Sequence, residues 1–464
     1  MKNILAALFC LLPFLAFGGL PPPKNIQPST DLASSDRSTV TPIVNAAVGN
    51  DVWIAVRTDG EAGSGSESDP FDGSTEPKFD ALMGAFPANV VIHLLPGVFL
   101  TNGGDAWFVK PGWEIIGSGQ GLTTLRLAGF STDNHKHIIL NSGSSGATGV
   151  EVHDLTLDGN YANVTFPAHD AVCGVDLGGS NIVVENVECI NLYGDSVTGY
   201  EEFSILVGSG SAAAATSNCR IENCITHQYA ITPEAGGYTF GPGIAYCNGG
   251  EILNCTDDGA LHGFGGGIGD NTLIQGNTTT THTSVGWYSD TSTLQNVTIA
   301  DNWFGAGVIP LQWNNSNTGA NIKIIDNTFV TANNSNPGNA AAIYLDEGGL
   351  SNVLITGNHV DYTGSGNYQF IANCGHNTSL TIEDNSGTAT DGGYVFLSYT
   401  MSDIVNSGNS VGANNFEGYT QASASSPATP SANTSAPSST MAASVSRRGP
   451  LRAVVPLTFG ARKK

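Results

Sequence analysis

The sequence has few basic residues: 16 lysines and arginines stand against 40 aspartates and glutamates in 464 residues, a formal net charge of -24. A protein that grips nucleic acid through its phosphates needs a basic surface, so a nucleic-acid partner is excluded. Charged residues of either sign make up only 12% of the chain, whereas glycine numbers 59. This composition excludes a helical bundle and favours strands joined by turns.

Long apolar runs are missing beyond residues 1–19, where Lys2 precedes an apolar run that ends in small residues. This pattern predicts a signal peptide, and therefore a secreted protein, extracellular or in the cell envelope, with no transmembrane segment. Residues 20–50 are predicted to form a flexible linker and residues 417–464 a disordered tail, because both segments lack bulky apolar side chains. The tail ends in a basic stretch, Arg447 to Lys464, which is either a solvated end or a sorting signal.

One short phrase recurs between about 150 and 415: apolar, any, apolar, any, then Asp, Gly or Glu, then Asn. The steps between its asparagines, mostly in the twenties, are typical of a solenoid. Alternation buries Ile, Leu and Val on one face, and an asparagine at each corner can bond its copies in neighbouring coils. The phrase predicts an asparagine ladder at positions 186, 223, 254, 277, 302, 327, 358, 385 and 409.

A second apolar stretch, such as CGVDLG or AAIYLD, precedes each phrase. Each coil thus supplies at least two strands separated by turns, as a parallel β-helix requires. At about 4.8 Å per coil, roughly a dozen coils make a rod near 55 to 60 Å long. One all-β domain accounts for residues 51–416.

On these repeats the chain resembles the right-handed parallel β-helix proteins of the pectin-lyase-like superfamily. The resemblance extends forward to VWIAVRTDGEAGSGSESDPFD and KFDALMGAFPANVVIHLLPGVF. Secreted members carry such a unit: a strand, a Gly/Ser-rich loop, a short capping helix and a first coil ending in Pro-Gly. The resemblance covers about residues 50–415. It implies the architecture but not one activity, since the superfamily hosts many chemistries.

Seven cysteines remain when Cys10 leaves with the signal peptide, and an odd number argues against a complete disulfide framework. Cys224 and Cys255 each follow a ladder asparagine, so stacking places them about 5 Å apart. They form either a disulfide or a buried thiol ladder.

The longest steps, of 32, 37 and 31 residues, fall in consecutive coils starting from Asp154, so inserted loops there would wall a groove. Glycoside hydrolysis needs two carboxylates about 5–5.5 or 6.5–9.5 Å apart, which neighbouring coils provide. We predict Asp195, with Asp257 or Asp258, as acid and base or nucleophile. His262 would tune or orient one of them. The alternative is that these aspartates only form turns.

Polygalacturonase-like β-helix hydrolases carry an Asp-Asp turn and, one coil later, a Gly-His-Gly. The pair Asp257 and Asp258 matches the turn, but His262 lies in the same coil and the following coil has no such histidine. The match to these hydrolases is therefore partial.

A polysaccharide lyase needs a basic side chain as proton acceptor and cations that neutralise the uronate. Between Lys136 and Arg447 the chain has only Arg220 and Lys323, and an acidic groove repels a polyanion. Lyase activity is therefore the least favoured hypothesis. The neighbouring segment His135 to His137 predicts an exposed basic turn.

Aromatic rings that point outward from a β-helix can stack on the faces of sugar rings, while neighbouring amides and carboxylates bind sugar hydroxyls. The alternative for these aromatic residues is packing in the interior of the rod. The predicted substrate-binding residues are Glu202, His227, Tyr288, Trp313, Tyr344 and Asp346.

The sequence thus predicts a secreted carbohydrate-active protein that binds, and on the hydrolase hypothesis cleaves, a neutral or weakly charged polysaccharide or cell-surface glycan. The alternative is a non-catalytic surface or adhesion protein. No cofactor is predicted; calcium bridged by clustered aspartates is the one ion left open. The sequence leaves the oligomeric state undetermined.

Overall fold

A computed structural model describes most of the chain from residue 50 to residue 411. The predicted signal peptide and tail lie outside the described residues, as does all but the last residue of the linker. The described ranges are 50–129, 135–141, 146–163, 171–192, 201–208, 216–227, 238–258, 262–266, 269–282, 285–289, 293–306, 309–313, 318–331, 340–345, 349–363, 368–373, 378–388, 394–396 and 402–411.

Strands dominate the described residues, with one α-helix, α1, at Glu76–Ala85. None of the helices described there has the length and apolarity that a membrane span requires. The strands are β1 (Asp51–Ala55), β2 (Phe71–Asp72), β3 (Val91–Leu94), β4 (Gly97–Thr101), β5 (Glu114–Ile116), β6 (Thr123–Leu127), β7 (His135–Leu140), β8 (Glu151–Asp158), β9 (Ala171–Gly178), β10 (Val183–Ile190), β11 (Glu201–Gly208), β12 (Thr216–Ser217), β13 (Arg220–Glu222), β14 (Ile225–His227), β15 (Tyr238–Ala245), β16 (Cys247–Asn248), β17 (Glu251–Leu253), β18 (Thr256–Asp258), β19 (His262–Gly265), β20 (Leu273–Gln275), β21 (Thr278–His282), β22 (Val285–Ser289), β23 (Thr293–Ala300), β24 (Trp303–Ala306), β25 (Ile309–Trp313), β26 (Thr318–Ile325), β27 (Thr328–Thr331), β28 (Ala340–Leu345), β29 (Leu350–Thr356), β30 (His359–Tyr362), β31 (Tyr368–Asn373), β32 (Thr378–Glu383), β33 (Ser386–Thr388), β34 (Tyr394–Phe396), β35 (Ser402–Ser407) and β36 (Ser410–Val411).

Two parallel sheets run along the rod, so the predicted right-handed parallel β-helix is confirmed. The ten-stranded sheet contains β7, β9, β11, β15, β19, β22, β25, β28, β31 and β34. The larger, 24-stranded sheet bends at the ladder corner; before that corner, β1, β3, β5, β8, β10, β13, β17, β20, β23, β26, β29, β32 and β35 pair in this order. At about 4.8 Å per strand this stack is roughly 58 Å long, as predicted.

One interior column shows why the chain stacks in this register. Each of the twelve coils from β1 to β32 contributes one aliphatic residue with no exposed surface, and strand pairing places these residues directly over one another. Each buried Val or Ile stabilises the fold by about 1.5–3 kcal/mol relative to exposure, and a slip of one residue would expose the column. The column consists of Val52, Ile92, Ile115, Val152, Val184, Ile221, Ile252, Ile274, Ile299, Ile324, Ile355 and Ile382.

The helix α1 covers the N-terminal end of this core, as the family resemblance implied. Phe79 and Met83 are buried, and the Phe79 ring lies 5.3 Å from that of Phe99. Asp80 accepts hydrogen bonds from the Thr101 hydroxyl and from the indole N–H of Trp107. Burial, together with the neighbouring Glu76, raises the pKa of Asp80 to about 7, although the bonds to Asp80 oppose the shift.

The predicted asparagine ladder is present but begins later than predicted. In six successive coils the Oδ1 of a buried asparagine accepts a hydrogen bond from a backbone N–H of the preceding coil, and its Nδ2 donates to a backbone carbonyl. In the first five of these asparagines Nδ2 also donates to the next copy, at 2.7–3.0 Å. The members are Asn277, Asn302, Asn327, Asn358, Asn385 and Asn409.

The first three predicted members occupy a different position. Asn186, Asn223 and Asn254 have φ between 52° and 53° and stand one residue earlier, at a left-handed corner. The register of β17 with β20 aligns Asn254 with Gly276, so Cys255 stands at the ladder position before Asn277. Accordingly, the Cys255 backbone N–H donates to Asn277 Oδ1 at 2.8 Å. The prediction was wrong by one residue in these coils.

Cysteine thus replaces asparagine in the ladder at positions 224 and 255. The Cys255 thiol lies 3.3 Å from the Leu253 carbonyl, and the Cys224 thiol 3.3 Å from the Glu222 carbonyl. The six cysteines among the described residues are buried free thiols. Of the two alternatives, the structure contains the thiol ladder.

A second asparagine ladder, which the sequence reasoning missed, lies exposed at another corner. Its side chains bond from coil to coil at 2.7–3.1 Å, and most members have a positive φ. The ladder has two runs, because Gly249 and not an asparagine stands opposite Asn218. The first run is Asn181 and Asn218; the second is Asn248, Asn271, Asn296, Asn321 and Asn352.

Candidate functional site

The two adjacent aspartates of β18 point to opposite sides of the larger sheet. Asp257 has no exposed surface and stands in the interior between Thr226 and Thr279 of the neighbouring coils. Across the interior lies Gly241, where an added Cβ would sit 2.7 Å from Asp257 Cγ. Burial, and secondarily the charge of Asp258, raises the pKa of Asp257 well above its usual range. A carboxyl enclosed in the core does not face a groove, so the position of Asp257 gives no support to its predicted catalytic role.

Asp258 faces outward beside another of the predicted residues. His227 and Asp258 are in register on successive strands, and the Asp258 side chain is 48% exposed. His227 Nδ1 lies 3.7 Å from Asp258 Oδ2, and the Thr280 hydroxyl donates to Asp258 Oδ1 at 2.6 Å. The structure therefore brings Asp258 and His227 together and fixes the carboxylate through Thr280.

An exposed tryptophan lies further along the same outer face. Trp303 is 37% exposed and stands in register between Thr278 and Thr328. Its ring lies across Gly305, where a Cβ would be 2.7 Å from Trp303 Cζ3. We call His227, Asp258, Thr280 and Trp303 the outer strip; Trp303 is two coils from Asp258, about 10 Å.

The sequence reasoning missed Trp303. The signal was available, since Trp303 directly follows the buried ladder residue Asn302 and alternation turns the next side chain outward.

The remaining predicted residues do not join the outer strip. Asp195 and Asp346 lie outside the described residues. Four others belong to the ten-stranded sheet, not to the strands of the outer strip: Glu202, His262, Tyr288 and Trp313. The groove predicted from the inserted loops is not tested, because segments 164–170, 193–200, 209–215 and 228–237 lie outside the described residues.

Tyr344 also belongs to the ten-stranded sheet. It stands between the core residues Ile343 and Leu345 and is only 2% exposed. A ring with so little accessible surface offers no face to a sugar, so the expected binding role of Tyr344 is corrected.

The ten-stranded sheet contains a second titratable pair. The predicted basic turn is strand β7, in which Lys136 is buried and paired with Asp105. His137 Nε2 lies 3.4 Å from Asp176 Oδ2. Burial raises the pKa of Asp176 to about 7, a feature common at functional sites. The sequence analysis did not predict this pair as part of a site.

Metal binding at the outer strip has little support. Among the described residues, the strip holds no group of three metal-ligating side chains. Asp257 and Asp258 point apart, so they do not bridge calcium as clustered aspartates would.

Searches of protein-family models and of curated proteins find no match. Solved structures match at low identity. The mannuronan C-5 epimerase AlgE6 A-module of Azotobacter vinelandii is 15% identical, with a TM-score of 0.48, over 71% of this chain and 91% of that one. DFA-IIIase from Arthrobacter chlorophenolicus A6 is 12% identical, with a TM-score of 0.48, over 79% and 87%. PfbA, a surface adhesin of Streptococcus pneumoniae, is 14% identical, with a TM-score of 0.38, over 78% and 92%.

Proposed function

We propose that this protein is secreted and binds a neutral or weakly charged polysaccharide along the outer strip. The observation that carries the proposal is the exposed Trp303 ring beside Gly305, where no side chain covers it. An aromatic face stacks on the apolar face of a sugar ring, while Asp258, His227 and Thr280 supply hydrogen-bonding groups for hydroxyls. These groups lie on four successive strands and span about 14 Å along the rod, which suits a polymer better than a single sugar.

The charge of the protein limits the class of polysaccharide. The net charge is -24, and His227 is the only basic residue of the outer strip. A strongly anionic chain would be repelled by this field and would find no arginine or lysine in the strip. This supports a neutral or weakly charged ligand and counts against a lyase acting on uronates.

Hydrolysis is the second candidate function. Asp258 is an exposed carboxylate held in place by Thr280 and close to His227, which suits one of the two carboxylates that glycoside cleavage needs. Asp195 stays the predicted partner. If only binding occurs, the non-catalytic surface or adhesion alternative holds.

The binding proposal is tested with the variant Trp303→Ala on arrays of neutral and anionic glycans. We expect a loss of affinity of at least tenfold, about 1.4 kcal/mol. The matched control is Phe108→Ala, since Phe108 is an aromatic residue exposed to 38% at the N-terminal end of the rod. Equal affinity of Trp303→Ala and the wild type would sink the proposal.

Turnover is tested separately, by release of reducing ends from the bound glycan. The hydrolase hypothesis expects Asp258→Asn to abolish release while leaving most of the binding. Binding by the wild type without any release would favour the adhesion alternative.

A further inference from the structure

A cluster of two glutamates and one histidine lies near the N-terminal end of the rod, away from the outer strip. Glu114 in β5 and Glu151 in β8 are in register on adjacent coils, and His153 follows Glu151 by two residues. Ile115 and Val152 between them point into the core, so alternation turns all three polar side chains outward. Their ligand atoms lie within 4.8 Å of one another.

The histidine of this cluster is held in one orientation. His153 Nε2 lies 3.2 Å from Glu114 Oε1, and Nδ1 lies 3.0 Å from Asp154 Oδ2. Asp154 is itself fixed, because its Oδ1 accepts from Asn186 Nδ2 at 3.2 Å. Histidines that bind metals commonly give their second ring N–H to a carboxylate, which sets the tautomer and the ring angle. The same arrangement here directs Nε2 toward the two glutamates.

We propose that Glu114, Glu151 and His153 bind a divalent transition-metal ion. One imidazole nitrogen and two carboxylate oxygens suit Zn²⁺, with water completing the coordination, whereas Ca²⁺ prefers an all-oxygen set of six to eight ligands. The ion would join two adjacent coils, those of β5 and β8. This site is independent of glycan binding, since it shares no residue with the outer strip.

The experiment is calorimetric titration of the full-length protein, freed of metal with EDTA, using ZnCl₂. We expect one equivalent of Zn²⁺ to bind. His153→Gln and Glu151→Gln should each weaken that binding at least about tenfold. Glu151 is an exposed side chain, so its variant tests the site even if His153→Gln destabilises the fold. The matched control is His359→Gln, because His359 is an exposed strand histidine whose Nδ1 is close only to the Ser386 hydroxyl in the hydrogen bonds described.

Competition with CaCl₂ completes the test. The proposal expects Zn²⁺ to stay bound in an excess of Ca²⁺ and His359→Gln to bind as the wild type does. The proposal is overturned by the absence of stoichiometric Zn²⁺ binding, by unchanged affinity in Glu151→Gln, or by equal displacement by Ca²⁺, which would indicate a carboxylate cluster without a role for His153.

Discussion

The buried carboxyl of Asp257 should make the stability of the rod fall as pH rises. The pKa of Asp257 is raised well above its usual range by burial, whereas an aspartate in the unfolded chain titrates near 3.9. Above about pH 4 the unfolded state therefore releases a proton that the native state keeps. Each pH unit then lowers the free energy of unfolding by about 1.4 kcal/mol, until the pH reaches the pKa of the folded state.

The variant Asp257→Asn removes this titration while keeping the shape of the side chain. Between pH 4.5 and 6.5 we expect the stability of the variant, relative to the wild type, to rise with pH, at a slope of up to about 1.4 kcal/mol per unit. Asp80 and Asp176, both with a pKa raised to about 7, contribute a slope of the same sign to both proteins, so it cancels in the difference.

The assay is urea unfolding followed by circular dichroism at several pH values. The readout is how the difference in unfolding free energy between variant and wild type changes with pH. The size of that difference at a single pH is not informative, because the buried amide of the variant adds a cost that is roughly independent of pH. Asp258→Asn is the matched control, since that neighbouring carboxylate is about half exposed and is only the secondary cause of the raised pKa of Asp257; its curve should run nearly parallel to the wild type. If the Asp257→Asn curve also runs parallel, the reasoning about the interior carboxyl is refuted.

Two further predictions concern a ladder corner and a glycine within strand β33. Asn327→Ala leaves buried donors of Asn302 without their acceptor, so it should lower the free energy of unfolding in urea by roughly 3–5 kcal/mol. The exposed Asn321→Ala should lower it by only about 1 kcal/mol. Similar losses in the two variants would contradict a stabilising role for the buried ladder. Gly387→Ala would place a Cβ 1.9 Å from a backbone oxygen and should cost at least about 3 kcal/mol. Gly121→Ala, also at positive φ but with nothing within 4 Å, should cost about 1 kcal/mol, and equal midpoints would refute the steric argument.

The architecture was predictable from the sequence because its cause is local and repeated. Alternating Ile and Val residues, a corner asparagine and a period in the twenties together require stacked coils. The exact corner was harder to place, since asparagine suits both of its neighbouring positions. Asn254 stands where φ is positive, and Asn277 stands where the amide is buried. The amino-acid sequence alone does not show which of these two neighbouring positions a given asparagine occupies.

The difference of one residue between the predicted and the observed ladder position also determines which aspartate of the candidate site is exposed. Cys255 is the buried corner residue, so alternation buries Asp257 and exposes Asp258; placing Asn254 at the ladder position gives the opposite assignment. The same parity, counted from Asn302, turns Trp303 outward. Contacts between coils, such as that of His137 with Asp176, depend on loop lengths that change from coil to coil, and the sequence pattern does not contain them.

The change from amide to thiol at Cys255 divides the rod mechanically. On the side that begins at Asn277, every described coil corner adds side-chain bonds to the backbone pairing; on the other side, Cys224 and Cys255 offer only the weak donors of their thiols. At this buried corner, tension along the axis therefore meets fewer side-chain hydrogen bonds on the thiol side than on the amide side. Trp303 lies on the amide side, so a polymer pulling on its ring would load the half whose buried corner carries the asparagine bonds.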